Sequence, residues 1–359
     1  MSTLRVTAER LTIHPHPDAD ALELAQVGLF HAVVAKGRYR TGDWAVYIPE
    51  GALLPDDLIE ELGLTGRLAG ARKNRVTAIR LRGRLSQGIV CVPERLSHVD
   101  LAAAHEAGTD FAGELGATKW VPEVPVHMSG ELVPAADLMP WIEIENVKRY
   151  PDTFAEGEPV VATEKIHGTA CLFTLVAGTG EEFVSSKGFG SKRQGLARTE
   201  ENLYWKAVVT HDVPKAARAI AERFGAARVG VFGEVFGSGV QDLRYGETAR
   251  GERPGYAVFD VAVDVGGART WVDAAELHEL LESVGLPVVP RLFEGGYDEA
   301  ALLAAARGSE TWSGKSLHIR EGLVVRPARE RYSPVLGGRA IAKFVSDDYL
   351  TRKGGTEYE

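Results

Sequence analysis

Glu164-Lys165-Ile166-His167-Gly168-Thr169 stands between two apolar runs, Pro159-Val160-Val161-Ala162-Thr163 and Cys171-Leu172-Phe173-Thr174-Leu175-Val176. Both runs read as short strands rich in β-branched residues. The stretch therefore sets a lysine at the end of a strand, beside a glycine turn. A lysine partly desolvated in such a place favours its neutral amine and serves as a nucleophile. Lys-x-x-Gly alone also describes ordinary solvated loop lysines, so its reading depends on partners further along the chain.

Those partners follow in order. Phe232-Gly233-Glu234-Val235 ends a strand with a carboxylate beside a glycine, and Tyr256-Ala257-Val258-Phe259-Asp260 offers an aromatic on a strand. Glu321-Gly322-Leu323-Val324-Val325 opens another strand with a carboxylate, and Arg339-Ala340-Ile341-Ala342-Lys343-Phe344 supplies a late lysine in an apolar run. Nucleotidyl transfer wants this set. An amine attacks an α-phosphate, a second cation neutralises it, carboxylates hold ribose or hydrated metal, and an aromatic stacks the base.

Around these strands, Pro214 predicts the start of a helix that Gly225 ends, and Asp273-Ala274-Ala275-Glu276 predicts a capping-box start for another, with Gly285 past its end. Asp264-Val265-Gly266-Gly267 reads as a hairpin turn. No regular βαβ alternation is visible, so the fold class is α+β on antiparallel sheets. Upstream, short strands at Ala32–Ala35, Trp44–Ile48 and Gly88–Val92 alternate with glycine turns around a helical insert at Asp56–Leu62. That pattern predicts a small OB-like β-barrel. The expected division is 1–118 for the OB-like module, 119–136 for a proline-bearing connection, and 137–359 for the second domain.

The 359 residues suffice for two cores, and 45% hydrophobic with 25% charged residues is ordinary for a globular protein. No apolar run approaches the ~20 residues of a membrane span, and Met1-Ser2-Thr3-Leu4-Arg5 lacks an apolar secretory region. Cys91 and Cys171 sit in apolar segments and read as buried residues of a reducing compartment, so a cytoplasmic protein is expected. His14 and His16 lack companion ligands and read as surface polar residues. Net charge is −9, against indiscriminate nucleic-acid binding. Yet Arg67, Arg72, Lys73, Arg75, Arg80, Arg82 and Arg84 form a run without an acidic residue, and Lys187, Lys192 and Arg193 form a second basic loop. In Arg75–Arg82 the alternation reads as a strand. Local basic stripes on an acidic protein suit a polyanion gripped at one surface.

Taken together, these motifs resemble the covalent nucleotidyltransferases, the superfamily of ATP-dependent RNA and DNA ligases and mRNA-capping enzymes. Glu-Lys-Ile-His-Gly-Thr is the form typical of RNA ligases of the editing-ligase and Deinococcus type. The resemblance implies an antiparallel, ATP-grasp-like ligase domain with Lys165 as the AMP-accepting nucleophile and His167 acting in the nucleic-acid steps. It implies Glu234 near the ribose, Tyr256 stacking adenine, Glu321 near the metal and Lys343 on the α-phosphate. Glu164, Gly168 and Lys187 would join the ATP site, and Glu234 and Glu321 would hold Mg²⁺ or Mn²⁺. Arg72, Lys73, Arg75, Lys192 and Arg193 would hold nicked or broken RNA, or an RNA-containing duplex. His318 and Arg320 flank the Glu321 motif and are candidates to reach the phosphates.

Three positions depart from the family pattern. Ala170 stands where asparagine is common, Ile341 removes one of two late lysines, and Lys187 replaces an arginine, trading a bidentate fork for a point charge. DNA ligases and capping enzymes carry their OB module after the last motif, whereas here it precedes the core, as in the Deinococcus-type ligase. A DNA ligase, or a non-catalytic nucleic-acid-binding protein of ligase-like fold, are the alternatives. No membrane role and no obligate protein partner are expected.

Overall fold

The computed structural model describes residues 3–121, 128, 130–190, 192–237, 239–246 and 253–352. The chain forms two units, Met1–Val121 with Glu145–Pro151, and Pro122–Ile144 with Asp152–Glu359. Pro122 and Pro125 of the expected connection lie outside the described residues.

The first unit contains strands β1 (Thr7–Arg10), β2 (Thr12–Pro15), β3 (Leu22–Val27), β4 (Phe30–Ala35) and β5 (Trp44–Ile48), and helix α1 (Asp56–Glu61). It continues through β6 (Ile79–Leu81), β7 (Arg84–Ser86), β8 (Ile89–Cys91) and helix α2 (Leu101–Glu106). Two three-stranded antiparallel sheets, β1-β5-β8 and β2-β3-β4, make its body. Period-two alternation sends Val6, Ala8, Val46 and Ile48 into one core with Leu58 and Cys91, and Leu11, Ala25, Val27 and Tyr47 into a second.

Three expectations change here. The strand read over Arg75–Arg82 shrinks to Ile79–Leu81, because Arg75 and Val76 pair instead with Ala52 and Leu53, where Val76 N donates to Ala52 O at 2.8 Å. At its other end Arg82 and Gly83, with φ of 47° and 82°, close a two-residue hairpin onto β7. His16 is buried, with Nε2 3.2 Å from the Leu81 carbonyl, and is no surface residue. The segment Glu145–Pro151, expected with the second domain, packs in the first unit, where Leu29 N donates to Lys148 O at 2.7 Å.

The second unit runs β9 (Pro159–Lys165), β10 (Thr169–Val176), β11 (Glu181–Ser186), α3 (Leu203–Thr210), α4 (Val213–Phe224), β12 (Arg228–Phe236), β13 (Gly255–Val265) and β14 (Ala268–Trp271). There follow α5 (Ala274–Ser283), β15 (Arg291–Gly296), α6 (Glu299–Ala305), β16 (Gly322–Pro327), β17 (Ala342–Val345) and α7 (Asp347–Leu350). One antiparallel sheet has the order β11-β10-β12-β13-β14, and in the other β17-β16-β9-β15 lie side by side. Among the described residues no helix is long and apolar enough to cross a membrane.

Helix termini follow the local signals only in part. Pro214 stands in the first turn of α4 and Gly225 caps its end with φ +60°. Asp273 precedes α5 but makes no side-chain cap. Its Oδ1 accepts instead from Glu330 N at 2.8 Å, so a tertiary partner has taken the oxygen. Helices α3, α4 and α5 cover one face of the first sheet, packing Ala217, Ile220 and Leu281 against Phe173, Val231 and Val258. The opposite face carries Leu172, Phe232 and Ala262, packed with Leu138 and Met139. Cys91 and Cys171 are free and buried.

Candidate active site

The turn Ile166-His167-Gly168 carries the chain from one sheet to the other, for Lys165 ends β9 and Thr169 begins β10. A side chain has no room at its last residue, since a Cβ on Gly168 would lie 2.2 Å from Val235 O. On the β9 side, Lys165 pairs in register with Gly322 and Thr163 with Val324, while Val324 pairs with Lys343 on β17. Directly opposed residues share a face, so Lys165 and Lys343 project from the same side of that sheet. Strand β17 also crowds β16, because a Cβ on Gly322 would meet Phe344 O at 2.0 Å. On the other sheet Ala170 pairs with Glu234.

Glu321, one residue before β16, reaches Lys165 with Oε1 2.6 Å from Nζ. The nucleophile candidate is thus ion-paired and partly buried, its side chain 28% exposed. Burial works against ionising Glu321, but Lys165 and His167 outweigh it and hold the carboxyl at about 2. Burial pushes Glu234 the other way, up to about 7, with Lys165 opposing and Glu321 reinforcing the rise. Two carboxylates of opposite leaning thus share one lysine.

His167 is buried. Its Nε2 lies 2.7 Å from Asp242 Oδ1, while Nδ1 lies 2.9 Å from Tyr349 OH and 3.6 Å from Glu321 Oε2. Burial disfavours its charge, yet Asp242 and Glu321 raise the imidazole above its ordinary value. Glu164 faces another group: Oε2 accepts from Thr311 N at 2.9 Å and from the Thr311 hydroxyl, leaving Oε1 buried without a partner. Burial raises that carboxyl too.

Lys343 is buried on its strand, and Lys187 follows β11 with Nζ 2.6 Å from Glu143 Oε2. Arg72, Lys73, Lys192 and Arg193 are exposed, although Arg193 also donates to Ala136 O at 2.8 Å. Ser191 of the second basic loop lies outside the described residues.

Other expected site residues are engaged elsewhere. Tyr256 is fully buried in the helix-covered core, its ring over Gly233, so it lies on the face opposite Glu234 and is corrected as a base-stacking residue. A bulge in β13 pairs Phe232 with Asp260 and Gly233 with Val258, leaving Phe259 as the extra residue. Phe259 packs with Phe232 and Trp271 on the Glu234 side. Arg75 lies 4.0 Å over the Trp120 ring and is half-buried, away from the role of a free phosphate clamp. Arg320 donates to Ala305 and Arg307 carbonyls at the end of α6, and His318 packs edge-on against Tyr245, so neither is directed to phosphates. Asp242, Thr311, Tyr349 and Arg352 belong to no sequence motif, and only the fold brings them to the site.

A divalent ion suits this arrangement. Glu321 Oε2 is buried with no hydrogen-bond partner, and burial raises the Glu234 carboxyl, so a cation placed between them would favour both carboxylates. Among the described residues no cluster of three or more His, Cys, Asp or Glu could hold a metal by itself. The remaining ligands would come from water and substrate phosphates, as is usual for Mg²⁺.

A family model described as RNA ligase matches residues 158–345, and an OB-fold domain model matches residues 5–93. No curated protein matches. The fold is similar to solved structures of Naegleria gruberi RNA ligase variants. A ligand-free one aligns with TM-score 0.78 at 22% identity, covering 98% of both chains. One with ATP and Mn gives 0.76 at 22%, covering 96% of this chain and 98% of that. One with AMP and Mn gives 0.77 at 22%, covering 97% and 98%. At such identity the likeness establishes the fold.

Proposed function

The chain belongs to the RNA ligase family, and from that premise we propose that it seals RNA ends with ATP through a lysyl–AMP intermediate on Lys165. The observation that carries this reading is the Lys165–Glu321 contact of 2.6 Å, with Glu234 within electrostatic reach of both and Lys343 on the same sheet face as Lys165.

In the first step Lys165 leaves Glu321, its ammonium gives up a proton to solvent, and the neutral amine attacks the α-phosphorus of ATP. A P–N bond forms and the bond to pyrophosphate breaks. Lys343, on the same sheet face, neutralises charge on the α-phosphate. Glu234 and Glu321 would hold Mg²⁺ or Mn²⁺, which would neutralise charge on the triphosphate. Phe259 takes the stacking place assigned from sequence to Tyr256, and the unpartnered Glu164 Oε1 is an acceptor for a base amine. In the second step a 5′-phosphate oxygen takes the adenylyl group and frees Lys165. In the third, a 3′-hydroxyl attacks that phosphate and AMP leaves. His167 serves these later steps.

Nick sealing of the Deinococcus type is the finer reading, supported by an OB-like module that precedes the core. The working division is 1–118, 119–136 and 137–359, with Glu145–Pro151 returning to the first unit. Arg72, Lys73, Lys192 and Arg193 would grip the strand backbone of a nicked or broken RNA in the cytoplasm. Incubation with ATP labelled at the α-phosphate and a divalent metal should leave covalent label on the chain and none on Lys165→Ala. Label on Lys165→Ala would overturn the assignment. A panel of nicks ending in ribose or deoxyribose separates RNA from DNA sealing.

A further inference from the structure

We infer that Asp242, Tyr349 and Arg352 are positioning residues that fix the His167 ring against Glu321, so that α7 and the residues just after it belong to the working site. Tyr349 and Arg352 both lie beyond residue 345, where the family match ends.

Both ring nitrogens of His167 are engaged from outside its own turn, Nε2 by Asp242 at 2.7 Å and Nδ1 by Tyr349 OH at 2.9 Å. Arg352 ties those two partners together. It donates to Asp242 Oδ2 at 3.0 Å, to Oδ1 at 3.1 Å and to the Tyr349 carbonyl at 3.0 Å, with its guanidinium 3.8 Å over the Tyr349 ring. Tyr245 OH meets the His167 backbone N at 2.7 Å, so the peptide is held as well as the ring. The result is a continuous chain of polar contacts, Arg352–Asp242–His167–Glu321–Lys165, that ends on the nucleophile.

An apolar patch would anchor a C-terminal turn at less desolvation cost than this buried polar network. A histidine that acts on a reacting phosphate, by contrast, needs one ring orientation, and hydrogen bonds at both nitrogens supply it. The kinetic consequence rests on the ligase reading; the geometry of the clamp does not.

The test uses the full chain in two arms. In the first, sealing of a nicked RNA duplex by Tyr349→Phe should fall about tenfold, the worth of one buried hydrogen bond. In a His167→Ala background the same change should cost less than about twofold, because residues that act as a unit are not additive. Asp242→Asn, which keeps an acceptor oxygen, should retain more sealing than Asp242→Ala. Equal losses from Tyr349→Phe with and without His167 would overturn the proposal. In the second arm, ¹⁵N spectra of the histidine rings, without ATP, identify His167 by its loss in His167→Gln. Its ring-nitrogen shifts should move in Tyr349→Phe and in Asp242→Asn, and unmoved shifts would overturn the clamp. A wild-type chain that forms no Lys165 adduct would sink the ligase reading alone, since the spectra still decide the clamp.

Discussion

Lys165 touches one carboxyl that its partners push down and lies within electrostatic reach of another that burial pushes up, and these opposite leanings come from position alone. Glu321 touches the amine at 2.6 Å, whereas Glu234 stands across on the other sheet with burial as its dominant influence. Reach, not residue type, separates their roles. The same logic separates two aromatics three residues apart. Tyr256 has a buried hydroxyl without a partner on the helix side, so Tyr256→Phe should leave the ATP concentration for half-maximal adduct formation unchanged. Its stability should change by about 1 kcal/mol or less, in the favourable direction, on urea unfolding. Phe259→Ala should raise that ATP concentration several-fold. The reverse pattern would restore Tyr256 as the stacking residue. Gly322 gives a third test. Its Cβ would meet Phe344 O at 2.0 Å, so Gly322→Ala should destabilise the chain by about 2 kcal/mol or more in the same unfolding assay.

At the scale of elements, α5 shows what local signals settle and what they leave open. Asp273 and Glu276 have capping-box spacing, and the helix does begin there, but the Asp273 oxygen is spent on Glu330. The helix also buries part of His278, whose Nε2 meets the Val289 carbonyl at 3.0 Å while Nδ1 is buried without a partner. Burial, helped by Arg291, lowers the His278 imidazole below its ordinary value. A histidine whose folded pKa is depressed binds its proton more readily in the unfolded chain. Its stability contribution is therefore present above the unfolded pKa of about 6.5 and is lost as pH falls below it. The urea midpoint of the wild type should drop more between about pH 7.5 and about pH 5 than that of His278→Gln. Parallel slopes for the two proteins would remove His278 as a cause.

Across the whole molecule, net charge is −9, so any grip on RNA depends on where its cations are exposed. Arg72 and Lys73 are exposed, while Arg75 is stacked on Trp120. Arg72→Gln with Lys73→Gln should flatten the salt dependence of nicked-RNA binding by roughly 0.9 in log–log slope for each phosphate no longer neutralised. Arg75→Gln should spare the slope and lower the melting temperature, since a cation–π interaction worth roughly 0.5–2 kcal/mol disappears. The reverse assignment of effects would return Arg75 to the binding surface. The local order of residues by itself determined the α+β class, the hairpin at Asp264–Gly267, the span of α4, and the candidate nucleophile with its carboxylates and late lysine. These are patterns of period, turn and strand-end chemistry, written within a few neighbouring positions. Only the tertiary structure decided which face each side chain took and which cations were already spent. A single bulge at Phe259 shifts the parity of β13, and no local pattern announces it. Tyr349 and His167 meet across 182 residues of sequence, and Glu145–Pro151 leaves its neighbours to pack in the first unit. Such pairings follow from which groups the packed sheets and turns bring within hydrogen-bond reach, and that distance exists only once the chain has folded.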